Sequence, residues 1–182
     1  RDSARNTAMM ELLYATGMRV TELVSLPVSA ARGDPAMLLV RGKGGKERMV
    51  PLSPSAKLAM AAWVVARDDA EEAARIKGVP VSKFLFPSRG KSGHLTRHRF
   101  FGLIKDFAVA GGVSPDKVTP HTVRHAFATH LLAGGADLRS IQTMLGHADV
   151  ATTEIYTHVL DERLTDLVMD HHPLSRKNSK TP

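Results

Sequence analysis

At 182 residues with a 43% apolar share, the chain can bury a hydrophobic core and fits one domain or a domain with appendages, which excludes disorder throughout. The absence of Cys excludes a disulfide framework, a thiolate metal site and a cysteine nucleophile, and suits a cytoplasmic setting. No apolar run approaches the ~20 residues that span a bilayer, so no membrane association is expected. A net charge of +7 favours a polyanionic partner, because Lys and Arg release counterions from nucleic acid. Basic residues gather in 41–48 and 89–99, and acidic ones in 68–72 and 161–170.

In chain order, Met9, Leu12 and Leu13 mark a helix over 3–15, stopped by Gly17, with Tyr14 expected in its core. A short helix over 20–26 closes at Pro27. The apolar runs 37–40 and 49–52 flank RGKGGKER, whose Gly44-Gly45 pair predicts a hairpin turn. One long helix follows over 55–77, with a solvated face carrying Asp68, Asp69, Glu71 and Glu72; the stretch 66–83 reads as a surface insertion. After a basic loop, Thr96 caps a helix that ends at Gly111-Gly112. Thr119-Pro120 opens another that runs to about Ala133, and Asp137 caps one that ends at Leu145. Helices are expected over 152–159 and 162–170, and a disordered polar tail over 175–182. The fold class is mainly α with a small antiparallel β-hairpin, an α+β arrangement in one continuous domain.

Chemistry concentrates in a few stretches. In PHTVRHAFATH, positions three and four apart share a helix face. His121, Arg124 and His125 therefore form a cationic corner beside an apolar stripe of Val123, Phe127 and Leu131. The corner sits in the first turn, where backbone N–H groups and the helix dipole favour an anion; a solvated or capping cluster is the plain alternative. His121 and His125 also have metal-pair spacing, but no Glu follows His121 as in a zinc-binding HExxH. Tyr156, nine residues after His147, is one of two tyrosines; alone it would read as a packed side chain with a bonded hydroxyl. The hairpin cations Arg41, Lys43, Lys46 and Arg48 suit a DNA groove, or a charged guard on a sheet edge. Arg19 follows the helix-ending Gly17 and alone reads as a surface arginine.

Together these stretches resemble the tyrosine recombinases and integrases, most closely the bacterial Xer recombinases. The resemblance rests on ATGMRVTELVSL, RGKGGKERMVPL, PHTVRHAFATHLLAGGADLRSIQTMLGHADVATTEIYTHV and DERLTDLVMDHHPL, and reaches from residue 1 to about 174. The family pattern of an Arg, a hairpin Lys, a His-x-x-Arg pair, a second His and a Tyr falls on Arg19, Lys43, His121 with Arg124, His147 and Tyr156. Position in the hairpin favours Lys43 over Lys46. The chain opens on Arg1 rather than Met and lacks the N-terminal core-binding domain usual in the family, so it reads as a fragment: a catalytic domain over 1–174 with the tail 175–182.

The resemblance implies the tyrosine recombinase catalytic-domain fold and site-specific cutting and rejoining of double-stranded DNA through a 3′-phosphotyrosine, with no metal, cofactor or ATP. Tyr156 would be the nucleophile, His121 its proton acceptor, Lys43 the acid for the 5′ oxygen, and Arg19, Arg124 and His147 the phosphate ligands. Glu22, about one helical turn after Arg19, is placed to orient it. Arg41, Lys46, Arg48, Arg97 and Arg99 are further DNA contacts to bases or phosphates. Chromosome dimer resolution is the implied task, with phage or plasmid integration as the alternative. A partner recombinase in a tetramer and a septal DNA translocase are the implied partners. Leu164, Leu167 and Val168 form a stripe that packs either in a neighbour or in cis. Three rivals are a type IB topoisomerase, a non-catalytic DNA-binding module of the same fold, and a metal hydrolase.

Overall fold

A computed structural model of the chain describes residues 2–145. The chain divides into two compact units between Phe127 and Ala128. The expected helices over 152–159 and 162–170, the tail, His147 and Tyr156 lie outside the described residues.

The first unit opens with α1 (Asp2–Thr16), which buries Ala8, Met9, Leu12, Leu13 and Thr16. Tyr14 departs from the expectation of a core side chain: it is 44% exposed, because it sits off the stripe set by 9, 12, 13 and 16. Helix α1 ends where the Thr16 hydroxyl donates to the Leu12 carbonyl at 2.6 Å and accepts from the Met18 amide at 3.3 Å. Gly17 follows at φ +60°, a conformation a Cβ would disfavour. This turn delivers Arg19 to the start of α2 (Val20–Val24).

Strands β1 (Met37–Arg41) and β2 (Glu47–Pro51) pair antiparallel, with Leu39 opposite Met49 and Arg41 opposite Glu47. Leu38, Val40 and Val50 turn inward and are buried, as strand alternation requires. Between the strands, Lys43–Gly45 forms a tight turn with Gly44 and Gly45 at φ +72° and +75°. The two-glycine turn expected from RGKGGKER is thus present.

Helix α3 (Pro54–Ile76) starts with Pro54 in its first turn and with Ser53 accepting from the Ala56 amide. It packs against α1. Its buried positions are Ala56, Met60, Trp63 and Arg67, an i, i+4, i+7, i+11 series in which the last place is an arginine. The Trp63 indole donates to the Leu85 carbonyl at 2.8 Å and its ring stacks on Phe86. Arg67, 1% exposed, donates to the carbonyls of Ser82 and Phe84 at 2.5 and 3.0 Å and to Asp68 at 2.8 Å. Asp68 is also held by Arg32. The stretch expected as a surface insertion is therefore partly internal: its exposed face is acidic, while its inner face clamps the returning chain. That returning chain lies against the end of α2, with the Leu85 amide on the Leu26 carbonyl at 2.8 Å and the Val28 amide on the Lys83 carbonyl at 2.9 Å.

Helix α4 (Arg97–Ala110) begins with the Thr96 hydroxyl accepting from the Arg99 amide at 3.1 Å and ends at Gly111. Helix α5 (Pro120–Ala133) follows Thr119, and the division between the units falls inside it. In the second unit α6 (Leu138–Leu145) starts at Asp137, whose carboxylate accepts from the Ser140 amide at 2.9 Å. Ala128, Ile141 and Leu145 are buried there. The described architecture is mainly helical with one two-stranded antiparallel sheet, as the sequence predicts. Among the described residues no helix is long and apolar enough to cross a membrane.

Candidate active site

The best-defined polar cluster joins α2 to the hairpin. Glu22 is 6% exposed, and its carboxylate gathers four donors. The Arg48 guanidinium meets it fork to fork, with Nη1 at 2.9 Å from Oε1 and Nη2 at 2.8 Å from Oε2. The Arg19 backbone N–H donates to Oε2 at 2.7 Å, and Arg19 Nη1 donates to Oε1 at 3.2 Å. Burial by itself would raise the Glu22 pKa. The hydrogen bonds from Arg48 and the Arg19 amide, with the charge of both guanidiniums, outweigh it and hold the carboxyl below its ordinary value, so it is anionic at neutral pH.

The cluster has a local logic. Arg19 precedes the first residue of α2 and Glu22 is the third, so the carboxylate reaches back to the Arg19 amide as one half of a capping box does. One carboxylate thus caps α2, fixes the base of Arg19 and anchors β2. Arg19 itself remains 41% exposed along its side chain. Gly42, at the start of the hairpin turn, lies so close that an added Cβ would stand 3.2 Å from Glu22 Oε1 and 3.4 Å from Arg48 Nη1. Lys43, the next residue, is exposed. Beside it opens a cleft of about 470 Å³ lined by Glu22, Leu26, Arg41, Gly45, Lys83 and Phe84, among others.

Helix α5 carries the His-x-x-Arg pair. Thr119 and Thr122 cap each other: the Thr122 amide donates to the Thr119 hydroxyl at 3.1 Å and the Thr119 amide to the Thr122 hydroxyl at 2.8 Å. His121 is exposed in this first turn, whereas Arg124 is 6% exposed. The apolar stripe expected on this helix is only partly internal: Phe127 is buried, but Val123 and Leu131 are half-buried. On the cationic side Arg124 is enclosed, His125 is half-buried and His121 is exposed.

The structure thus brings Arg19, Glu22, Arg48 and the root of the Lys43 turn together. Arg124 and His121 sit on a capped helix start, and His147 and Tyr156 fall outside the described residues. Of the expected DNA contacts, Arg97 and Arg99 are exposed in the first turn of α4, and Lys46 is exposed on the hairpin. Arg41 pairs across the strands with Glu47 at 2.7 Å. Arg48, also expected as a DNA contact, has a side chain that is 11% exposed, with both outer nitrogens turned onto Glu22. Strand alternation already hinted at this, since Arg48 faces Val40 across the sheet, on the inner side. Arg67 was missed as an internal residue, although it continues the buried spacing of α3.

The described residues supply a hairpin lysine, the Arg19–Glu22–Arg48 cluster and a capped His-x-x-Arg helix, and the sequence profile of the phage integrase family matches residues 1–163, so the chain belongs to that family. It is 55% identical over 169 residues to a protein of Bradyrhizobium diazoefficiens named tyrosine recombinase XerD, covering 93% of this chain and 53% of that one. It is 54% identical over 180 residues to the tyrosine recombinase XerD of Caulobacter vibrioides, covering 97% and 58%. The chain therefore spans a little over half the length of these curated relatives. Among solved structures it resembles the XerA recombinase, with a TM-score of 0.76 at 32% identity over 94% of this chain and 58% of that one. It also resembles the XerH site-specific recombinase bound to its difH substrate before cleavage, with a TM-score of 0.69 at 28% identity over 90% and 45%.

Proposed function

We propose that this chain is the catalytic part of a Xer-type site-specific recombinase that breaks and rejoins double-stranded DNA through a phosphotyrosine at Tyr156. The observation that carries the proposal is the seating of Arg19. A buried carboxylate holds its backbone and one guanidinium nitrogen, while the side chain reaches solvent from a fixed base. A phosphodiester already bears charge, and its non-bridging oxygens gain more in the pentacoordinate transition state. Arg19 and Arg124 supply planar donors for those oxygens, and such donors act most strongly where the charge grows. His147 adds a hydrogen bond to the same phosphate.

The Tyr156 oxygen attacks phosphorus and its proton passes to His121. As the O–P bond forms, the bond from phosphorus to the 5′ oxygen breaks, and Lys43 gives that oxygen a proton. The products are a 3′-phosphotyrosine and a 5′-hydroxyl. A phosphodiester is exchanged for a phosphodiester, so a 5′-hydroxyl from another strand can reverse the step with no external energy source. Lys46, Arg97 and Arg99, all exposed, are the contacts that grip the DNA beside the reacting phosphate. The 53% coverage of the XerD relatives fits a second, DNA-embracing part in the complete protein. A tetramer with a partner recombinase, chromosome dimer resolution and a septal translocase complete the proposal.

The test is covalent trapping. Full-length protein is incubated with a duplex nicked close to the cleavage position, so that the short 5′-hydroxyl fragment diffuses away, and the mixture is run on a denaturing gel. A protein–DNA adduct is expected with the wild type and none with Tyr156→Phe, while both shift the intact duplex on a native gel. Site-specific binding without any adduct would favour the non-catalytic DNA-binding module instead.

A further inference from the structure

Glu22 has two arginine partners, and they are unequal. Arg48 makes two aligned contacts at 2.8 and 2.9 Å from a side chain that is 11% exposed. The Arg19 guanidinium reaches the carboxylate through one nitrogen at 3.2 Å and is 41% exposed. A buried carboxylate must be neutralised by a nearby cation. Here that partner is chiefly Arg48, so the three groups together keep a net charge of one cation, displayed on the Arg19 side. Were Arg48 missing, the carboxylate would draw the Arg19 guanidinium inward, and the pair would present no net charge to a phosphate.

We propose that Arg48 is a positioning residue that neutralises Glu22, thereby keeping the Arg19 guanidinium available to the reacting phosphate and coupling the Lys43 hairpin to that guanidinium through one shared carboxylate. The coupling is built into the chain path. Arg48 lies on β2, Gly42 and Lys43 lead out of β1, and Gly42 is in near contact with both Glu22 and Arg48. Movement of the hairpin therefore moves the neutralising charge. This inference rests on the recombinase reading above.

The charge on the substrate separates it from a merely structural role. A methylphosphonate linkage replaces one non-bridging oxygen by methyl, so its transition state carries one negative charge fewer and depends less on the Arg19 cation. Single-turnover adduct formation is measured with full-length wild type and Arg48→Met on matched phosphodiester and methylphosphonate nicked duplexes. The expected result is a drop of about 100-fold on the phosphodiester, the size seen when one transition-state donor is lost, with a drop under about tenfold on the methylphosphonate by the same reasoning. Equal drops on both substrates, or no drop on the first, would overturn the proposal. Should Arg48→Met fail to fold, Arg48→Lys keeps a neutralising cation on β2 beside Glu22. It is expected to fold and to form phosphodiester adduct within about tenfold of the wild type, and a folded Arg48→Lys protein with the full loss expected of Arg48→Met would overturn the proposal. Absence of adduct with the wild type would instead refute the recombinase reading itself.

Discussion

Glu22→Gln keeps the shape of the side chain and removes its charge. The amide oxygen can still accept one N–H of Arg48, but the amide nitrogen then points its own donors at the other. One of the two contacts at 2.8 and 2.9 Å is lost, and the survivor is no longer ion to ion. A hydrogen bond to a charged group contributes about 1.5–3 kcal/mol, and removing one partner of a buried pair costs about 3–5 kcal/mol. The exposed Arg19 guanidinium adds little, since exposed pairs are worth at most about 1 kcal/mol. A loss of about 3 kcal/mol at pH 7 is therefore expected, by the same magnitudes. The loss also has a pH signature. The folded-state pKa of Glu22 lies below its ordinary value of 4.5, so the stabilisation is full above that value. It fades as pH falls, because the unfolded chain takes up the proton first, and it is gone below the folded-state value. Urea unfolding of wild type and variant between pH 7 and pH 3 measures the gap. It should be widest at neutral pH and narrow below about pH 4.5. A gap under about 1 kcal/mol, well short of the buried-pair figure, or one that does not change with pH, would refute the reasoning.

Other consequences follow from neighbouring contacts. Arg67→Met leaves the carbonyls of Ser82 and Phe84 without that donor, and chemical denaturation should show a loss of about 3 kcal/mol. Gly42→Ala should slow adduct formation, read by single-turnover trapping, because the new methyl would stand 3.2 Å from Glu22 Oε1 and 3.4 Å from Arg48 Nη1 and those side chains must give way. Lys43→Ala should be defective on an ordinary nicked duplex and regain activity on one with a 5′-phosphorothiolate, whose sulfur leaves without a proton. Unchanged inactivity on that substrate would remove the acid role from Lys43.

What the sequence made legible was mostly local chemistry. Thr96, Thr119 and Asp137 stand where caps are needed, Gly44-Gly45 fits only a turn of positive φ, and each marks its element in the structure. The tertiary partners were less visible. Tyr14 looked internal beside Leu12 and Leu13, yet the helix turns it toward solvent. Arg67 and Arg48 looked external because they are arginines, yet each is enclosed by acceptors supplied from distant parts of the chain: Arg67 by carbonyls 15 and 17 residues on, Arg48 by a carboxylate 26 residues back. Spacing could have flagged both, since one continues a buried helical stripe and the other an inward strand position. What spacing cannot supply is the identity of the partner. Glu22 was the exception: the distance of one helical turn from Arg19 was enough to suggest their contact, though not the stronger one to Arg48.

The central claim is that one phenol oxygen of this chain becomes bonded to DNA. Trapped adduct is digested with nuclease to leave a short nucleotide on the protein, cut with trypsin and sequenced by mass spectrometry. Trypsin places Tyr156 in the peptide Ser140–Arg163 and Tyr14 in Asn6–Arg19, so the two are resolved without ambiguity. A 3′-linked nucleotide is expected on Tyr156. A nucleotide on Tyr14, on a serine or on any other side chain would contradict it.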